Sequence, residues 1–257
     1  MTSADDYALS MERTNPKDMA KAFRFSPLRR ARFSTSVTRM DQLPADDGAE
    51  VAIAGRSNVG KSSVLNLLTG HGGLARVSRT PGRTQAINVF DLDPGQRLMD
   101  LPGYGYAKVP DALRLSWGDL LEDYLRRRTS LRLLLLVMDI RHPLGSHDLA
   151  LLDFARHCGR PVHALLNKAD KLSRGAALHA LAQARRNPAL EGVGLQCFST
   201  QSGLGLEELH WLLARTYEKE TPVETGAKSE PSKGGEGSGP GQGGKSQDRN
   251  ATTAGFE

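Results

Sequence analysis

The stretch Gly55-Arg56-Ser57-Asn58-Val59-Gly60-Lys61-Ser62 limits what this chain can become more than any other. Two glycines separated by four residues and followed by Lys and Ser make a loop that wraps a polyphosphate, because its successive backbone N–H groups turn inward. The apolar run Val51 to Ala54 before it reads as a buried strand, and Ser63 to Leu68 after it has helical spacing. That order, strand then loop then helix, brings a helix N-terminus to the anion. In such a setting Lys61 neutralises the outer phosphates and Ser62 offers its hydroxyl to Mg2+. A glycine-rich turn before an ordinary helix has the same local pattern, so the rest of the chain must decide.

With 257 residues, 39% hydrophobic and 25% charged, the chain has the composition of one globular domain with tails. Its longest uninterrupted apolar run, Leu133 to Met138, is far short of the roughly 20 residues that cross a bilayer. Met1 to Tyr7 is acidic and polar, unlike a signal peptide. A soluble, cytoplasmic monomer with no membrane partner is therefore expected. Cys158 and Cys197 lack metal-ligand spacing and are expected to be reduced, buried thiols. The net charge of +5 is gathered in places: Lys17 to Arg39, the triplet Arg126-Arg127-Arg128, and Arg76, Arg79 and Arg83 in one loop. Each cluster is either a solvated basic face or a contact to RNA phosphate.

Along the chain, residues 1–31 read as a basic, mobile segment, 32–220 as the folded domain and 221–257 as a disordered glycine-rich tail. Strands are expected at 32–37 and 50–54, then a helix at 61–69 and a loop at 71–83. Strands at 85–92 and 97–100 form a hairpin through Pro94-Gly95. Beyond it the pattern alternates: helix 111–128, strand 131–139, helix 147–157, strand 162–167, helix 174–186, strand 194–199 and helix 206–218. Alternation of this kind implies parallel crossovers. The fold class is α/β, a doubly wound, mostly parallel sheet with one antiparallel edge hairpin and helices on both faces.

Ligands of such sheets lie at the carboxyl ends of the strands, and three polar segments fall there. Asp100-Leu101-Pro102-Gly103 offers a carboxylate to Mg2+ through water and a Gly103 N–H to a γ-phosphate. Asn167-Lys168-Ala169-Asp170 is more specific. Guanine presents adjacent N1–H and N2–H donors that one carboxylate accepts together, whereas adenine presents an acceptor, so Asp170 selects guanine. Lys168 can lay its stem along the base and Asn167 can tie this loop to the phosphate loop. A helix N-cap at Asp170 is the plain alternative. Phe198-Ser199-Thr200 would bring backbone N–H groups to the guanine O6.

These segments, together with Thr80-Pro81-Gly82-Arg83-Thr84-Gln85, Tyr104-Gly105-Tyr106 and Asp139-Ile140-Arg141-His142-Pro143, resemble the EngB-type ribosome-biogenesis GTP-binding proteins of bacteria over about residues 32–218. The resemblance implies a P-loop GTPase that hydrolyses GTP to GDP and serves assembly of the large ribosomal subunit, with its rRNA as partner. It also adds Gly82, Arg83, Thr84, Gln85 and Ala86 to the nucleotide site. From residue chemistry alone, Thr80 and Thr84 are both candidates for the second metal ligand; the resemblance points to Thr84. Tyr104 stands where many GTPases carry a water-orienting Gln, so slow intrinsic hydrolysis is expected, with Lys61, Thr84, Gly103 and Asn58 as the catalytic set. Asn58 either helps K+ supply charge at the β–γ bridge or only bonds the loop backbone. Rival readings are a P-loop kinase or ATPase, a constitutive RNA-binding module with structural nucleotide, and a GTPase of another process.

Overall fold

The computed structural model describes residues 23–24, 26–74, 86–104 and 119–218. Seven strands form one sheet: β1 (Arg32–Val37), β2 (Ala49–Gly55), β3 (Ile87–Asp91), β4 (Gln96–Asp100), β5 (Leu131–Asp139), β6 (Val162–Asn167) and β7 (Gly194–Cys197), in the spatial order β1-β3-β4-β2-β5-β6-β7. β2 pairs in parallel with β4 and β5, and β5-β6-β7 continue in parallel. Only β3 runs against the rest, pairing antiparallel with β1 and β4. The helices are α1 (Lys61–Thr69), α2 (Asp119–Arg127), α3 (Ser146–His157), α4 (Arg174–Arg185) and α5 (Leu206–Glu218).

Strand alternation sorts the core into two layers. Leu133, Leu135 and Val137 of β5 pack with Val64, Leu65 and Leu68 of α1 and with Leu209, Leu212 and Leu213 of α5. Leu134, Leu136 and Met138 of the same strand pack with Leu121 and Tyr124 of α2, Leu151 and Leu152 of α3, and Ala177 and Ala184 of α4. Strand β2 lies between β4 and β5, where the chain switches from building one half of the sheet to building the other. The loop after β2 thus opens into the crevice where such sheets bind ligands.

Several sequence expectations shift. Helix α1 falls at 61–69 as read, and α2 is described from Asp119; the 111–118 part of the expected helix lies outside the described residues. Strand β7 ends at Cys197 rather than Ser199, because the Ser199 N–H turns to the Leu204 carbonyl, 3.1 Å. Packing starts ahead of residue 32: Ser26 Oγ accepts from the Leu28 N–H, 3.3 Å, and Leu28 is fully buried against the α1 layer. Both cysteines are free but only half-buried.

The Arg126-Arg127-Arg128 triplet is not one exposed face. Arg126 and Arg127 are exposed, and Arg127 pairs with Asp123 one helical turn away, 3.1 Å. Arg128 instead turns under the sheet to Glu50, whose side chain is 0% exposed against 5% for Arg128. Arg128 Nη2 and Nε (3.0 Å), with Tyr124 Oη (2.9 Å), donate to the Glu50 carboxylate. Arg128 also donates to the carbonyls of Pro44, 2.9 Å, and Ala45, 3.0 Å. A carboxylate in the wholly buried strand β2 demands this company, since an unpaired buried charge is very costly.

Candidate nucleotide-binding site

The strand ends converge at one pole. β2 ends at Gly55, where an added Cβ would lie 2.7 Å from the Val137 carbonyl oxygen of β5, so glycine alone fits that crossing. Arg56 bridges Tyr104 in parallel, and the Ser57 N–H donates to the Tyr104 carbonyl, 3.1 Å, joining the phosphate loop to the segment after β4. Asn58 takes a left-handed φ of 66° and Gly60 one of 98°, the turns that bend the loop into a cradle ahead of α1. Val59 is buried beneath it.

Asn167 and Lys168 grip two consecutive carbonyls of the Gly55 to Ser62 loop. Asn167 Nδ2 donates to the Val59 carbonyl, 2.8 Å, and Lys168 Nζ to the Asn58 carbonyl, 2.7 Å. The expected tie from Asn167 is present in this bond. Asn167 sits so close that a Cβ at Gly60 would come within 2.5 Å of its Nδ2.

Lys61 forms an ion pair with Asp100, a partly buried contact at the head of the loop. Asn88 of β3 donates to the other Asp100 oxygen, 3.1 Å, a partner that sequence reading missed because it comes from the reversed strand. A hydroxyl at Ser62 and a carboxylate at Asp100 are hard oxygen donors that suit Mg2+, and no group of three or more His, Cys, Asp or Glu forms a separate metal cluster among the described residues. This donor set fits an ion that takes its remaining ligands from phosphate and water. Thr84 lies outside the described residues, with Gly82, Arg83 and Gln85, whereas Ala86 is buried just ahead of β3. Leu101 is buried, Pro102 half-buried, and Gly103 exposed at the mouth.

Asp170 accepts from Ser199 Oγ, 2.7 Å, and pairs with Lys171, 3.2 Å; these contacts, the Ser199 hydrogen bond foremost, hold its carboxyl below the ordinary range. A carboxylate kept ionised and aimed by Ser199 suits the adjacent donors of a guanine edge. In the Phe198-Ser199-Thr200 segment two of the three backbone donors are already engaged within the chain. The Phe198 N–H donates to Leu166, 2.9 Å, and the Ser199 N–H to Leu204, 3.1 Å. Of the three expected backbone donors, Thr200 is the one not engaged among the described residues.

Tyr104 lies 2% exposed with its hydroxyl donating to Asp148 of α3, 2.8 Å. Burial pushes the Tyr104 phenol well above its ordinary range, and burial likewise raises the Asp148 carboxyl. The ring occupies the α2–α3 core layer and fixes the end of the Asp100 to Gly103 segment.

Residues 50–168 match the family model described as a 50S ribosome-binding GTPase. The chain is 50% identical over 191 residues to the probable GTP-binding protein EngB of Xylella fastidiosa (strain 9a5c), covering 73% of this chain and 94% of that one. The chain belongs to the EngB GTP-binding proteins. As a member of that family it is a P-loop GTPase. Solved structures agree in fold. A probable EngB matches with TM-score 0.51 and 24% identity over 66% of this chain and 98% of that one. Era, in a complex with MgGDPNP and nucleotides 1506–1542 of 16S ribosomal RNA, matches with TM-score 0.53 and 23% identity over 69% of this chain and 59% of that one. Among the described residues of this EngB-family chain no helix is long and apolar enough to cross a membrane.

Proposed function

We propose that this chain hydrolyses GTP with Mg2+ and uses its nucleotide state to bind and leave a precursor of the large ribosomal subunit. The observation that carries the nucleotide part is the double grip of Asn167 and Lys168 on the Val59 and Asn58 carbonyls. It places the Asp170 loop beside the Gly55 to Ser62 loop, as one guanine nucleotide spanning both would require. Phosphate is held by the loop N–H groups and Lys61, with Gly103 at the γ-position and Gly82 to Ala86 as further nucleotide contacts. Ser62, Thr84 and, through water, Asp100 would hold Mg2+, which would neutralise charge on the phosphates. Support for the ribosomal part comes from the family model's description as a 50S ribosome-binding GTPase. The protein acts in the cytoplasm as a monomer on this reading.

Turnover is slow without help, because Tyr104 is held by Asp148 and core packing rather than directed at an attacking water. Asn58 would help hold K+, which would supply positive charge where it develops during hydrolysis. The test combines three measurements on the full chain: competition of GTP against ATP, hydrolysis in KCl against NaCl at matched ionic strength, and sedimentation with large subunits in GDP and a GTP analogue. Preference for GTP, faster turnover in KCl that Asn58→Ala abolishes, and subunit binding that depends on the nucleotide are expected. Equal subunit binding in both nucleotide states would replace the switch with a constitutive RNA-binding module.

A further inference from the structure

Strand β5 ends in Asp139, paired across to Asn167 at the end of β6. Its carboxylate closes a short turn of its own: Oδ1 accepts the Arg141 backbone N–H, 3.1 Å, and Arg141 Nε, 2.9 Å, while Oδ2 accepts Arg141 Nη2, 2.7 Å. The same Oδ2 lies 3.0 Å from Lys168 Nζ. That ammonium is the one that donates to the Asn58 carbonyl. Lys168 itself sits at a left-handed φ of 66°, outside the range most side-chain-bearing residues prefer. Its position thus depends on what its side chain grips. The Arg141 guanidinium foremost, with Lys168, holds the Asp139 carboxyl well below the usual carboxylate range, so it is an anion throughout the physiological range.

We infer that Asp139 is a positioning residue for the base loop: fixed by Arg141, its carboxylate anchors the Lys168 ammonium over the phosphate loop and so sets the distance between the two halves of the nucleotide site. An ammonium has three donors on a flexible stem and, alone, roams. With one donor on Asp139 and one on the Asn58 carbonyl, the ammonium is fixed at two points. Asn167 fixes the neighbouring Val59 carbonyl independently. Loss of Asp139 leaves Asn167 in place and frees Lys168. The effect falls on how long nucleotide stays rather than on whether the fold forms. The inference rests on the guanine-nucleotide reading of this site.

The test is a double-mutant cycle on the full chain, read as dissociation rates of fluorescent GDP in Mg2+ buffer, with melting of the nucleotide-free protein alongside. Asp139→Asn keeps the shape and removes the charge. Asp139→Ser, whose hydroxyl can still accept the Arg141 N–H, guards against a local turn defect. Each of Asp139→Asn, Asp139→Ser and Lys168→Ala should speed GDP release about tenfold, the scale of one charge-assisted hydrogen bond. The double variant Asp139→Asn with Lys168→Ala should release GDP no faster than Lys168→Ala alone. A purely structural Asp139 would give the same acceleration in both backgrounds, and that result overturns the inference. So does unchanged release in Asp139→Asn when Lys168→Ala is fast. If Lys168→Ala itself releases GDP at the wild-type rate, the base-loop reading fails and takes the inference with it.

Discussion

Replacement of Arg128 by Met separates a buried structural arginine from a surface one. In the wild type, Glu50 is 0% exposed and Arg128 5%, and Arg128 supplies two of the donors to the Glu50 carboxylate. Arg128→Met leaves Glu50 with Tyr124 Oη at 2.9 Å and Arg97 Nη1 at 3.6 Å. It also strands the Pro44 and Ala45 carbonyls that the guanidinium had satisfied. Removing one partner of a buried ion pair costs about 3–5 kcal/mol, mostly as the penalty on the charge left behind. In a folded unit of this size each kcal/mol moves the midpoint by about 2–4 °C, so a fall on the order of 10 °C is expected. Arg127→Ala, which loses only an exposed pair with Asp123, should cost about 0.5 kcal/mol or less. Glu50→Met added to Arg128→Met should recover most of the loss, because an apolar pair of similar volume needs no desolvation. The assay is thermal and urea unfolding of the four proteins at matched concentration. An Arg128→Met midpoint within a degree of Arg127→Ala would refute the buried pair and return Arg128 to the exposed basic cluster.

Three further outcomes follow from neighbouring geometry. Burial lowers both His163 and His210 to about 4, so the unfolded chain binds more protons between about pH 4 and 6.5 and stability should rise with pH across that window, by about 3 kcal/mol per histidine at most; urea midpoints at pH 4.5 and 6.5, compared with His163→Gln, check the slope. Gly60→Ala forces a side chain onto a φ of 98° and within 2.5 Å of Asn167 Nδ2, so GDP affinity measured by titration should fall at least about tenfold, the scale of 1–3 kcal/mol of local strain. Tyr104→Phe removes the hydroxyl that Asp148 accepts, and denaturation should show a loss of about 1–2 kcal/mol.

Much of the fold was legible because period and punctuation agreed. The run Leu133 to Met138 is apolar throughout and β-like in length, and it lies in an interior strand flanked on both faces. Gly70, at φ 71°, closes α1 where the helical spacing ran out. The phosphate loop and the Asn167 to Asp170 loop were legible because each is contiguous in sequence. Contacts between distant residues were not. Glu50 sits in an otherwise apolar strand and Arg128 in a run of arginines, and nothing local couples positions 78 residues apart. Asp139 and Lys168 belong to different segments of the resemblance, each recognisable alone, while their ion pair exists only through the register of β5 with β6. Ser199 was read for its backbone, yet its Oγ makes the contact to Asp170, since the N–H had a closer carbonyl in Leu204.

The double grip on the phosphate loop also orders events in time. The Asn58 and Val59 carbonyls are met by Lys168 and Asn167, 110 and 108 residues later in the chain. Contacts of such separation form late, after the loop-closure entropy between them has been overcome. A nascent chain that has emerged only as far as β5 holds the complete Gly55 to Ser62 motif without the groups that fix two of its carbonyls. The binding cradle is therefore finished by the docking of β6, and nucleotide rewards only chains folded past that strand.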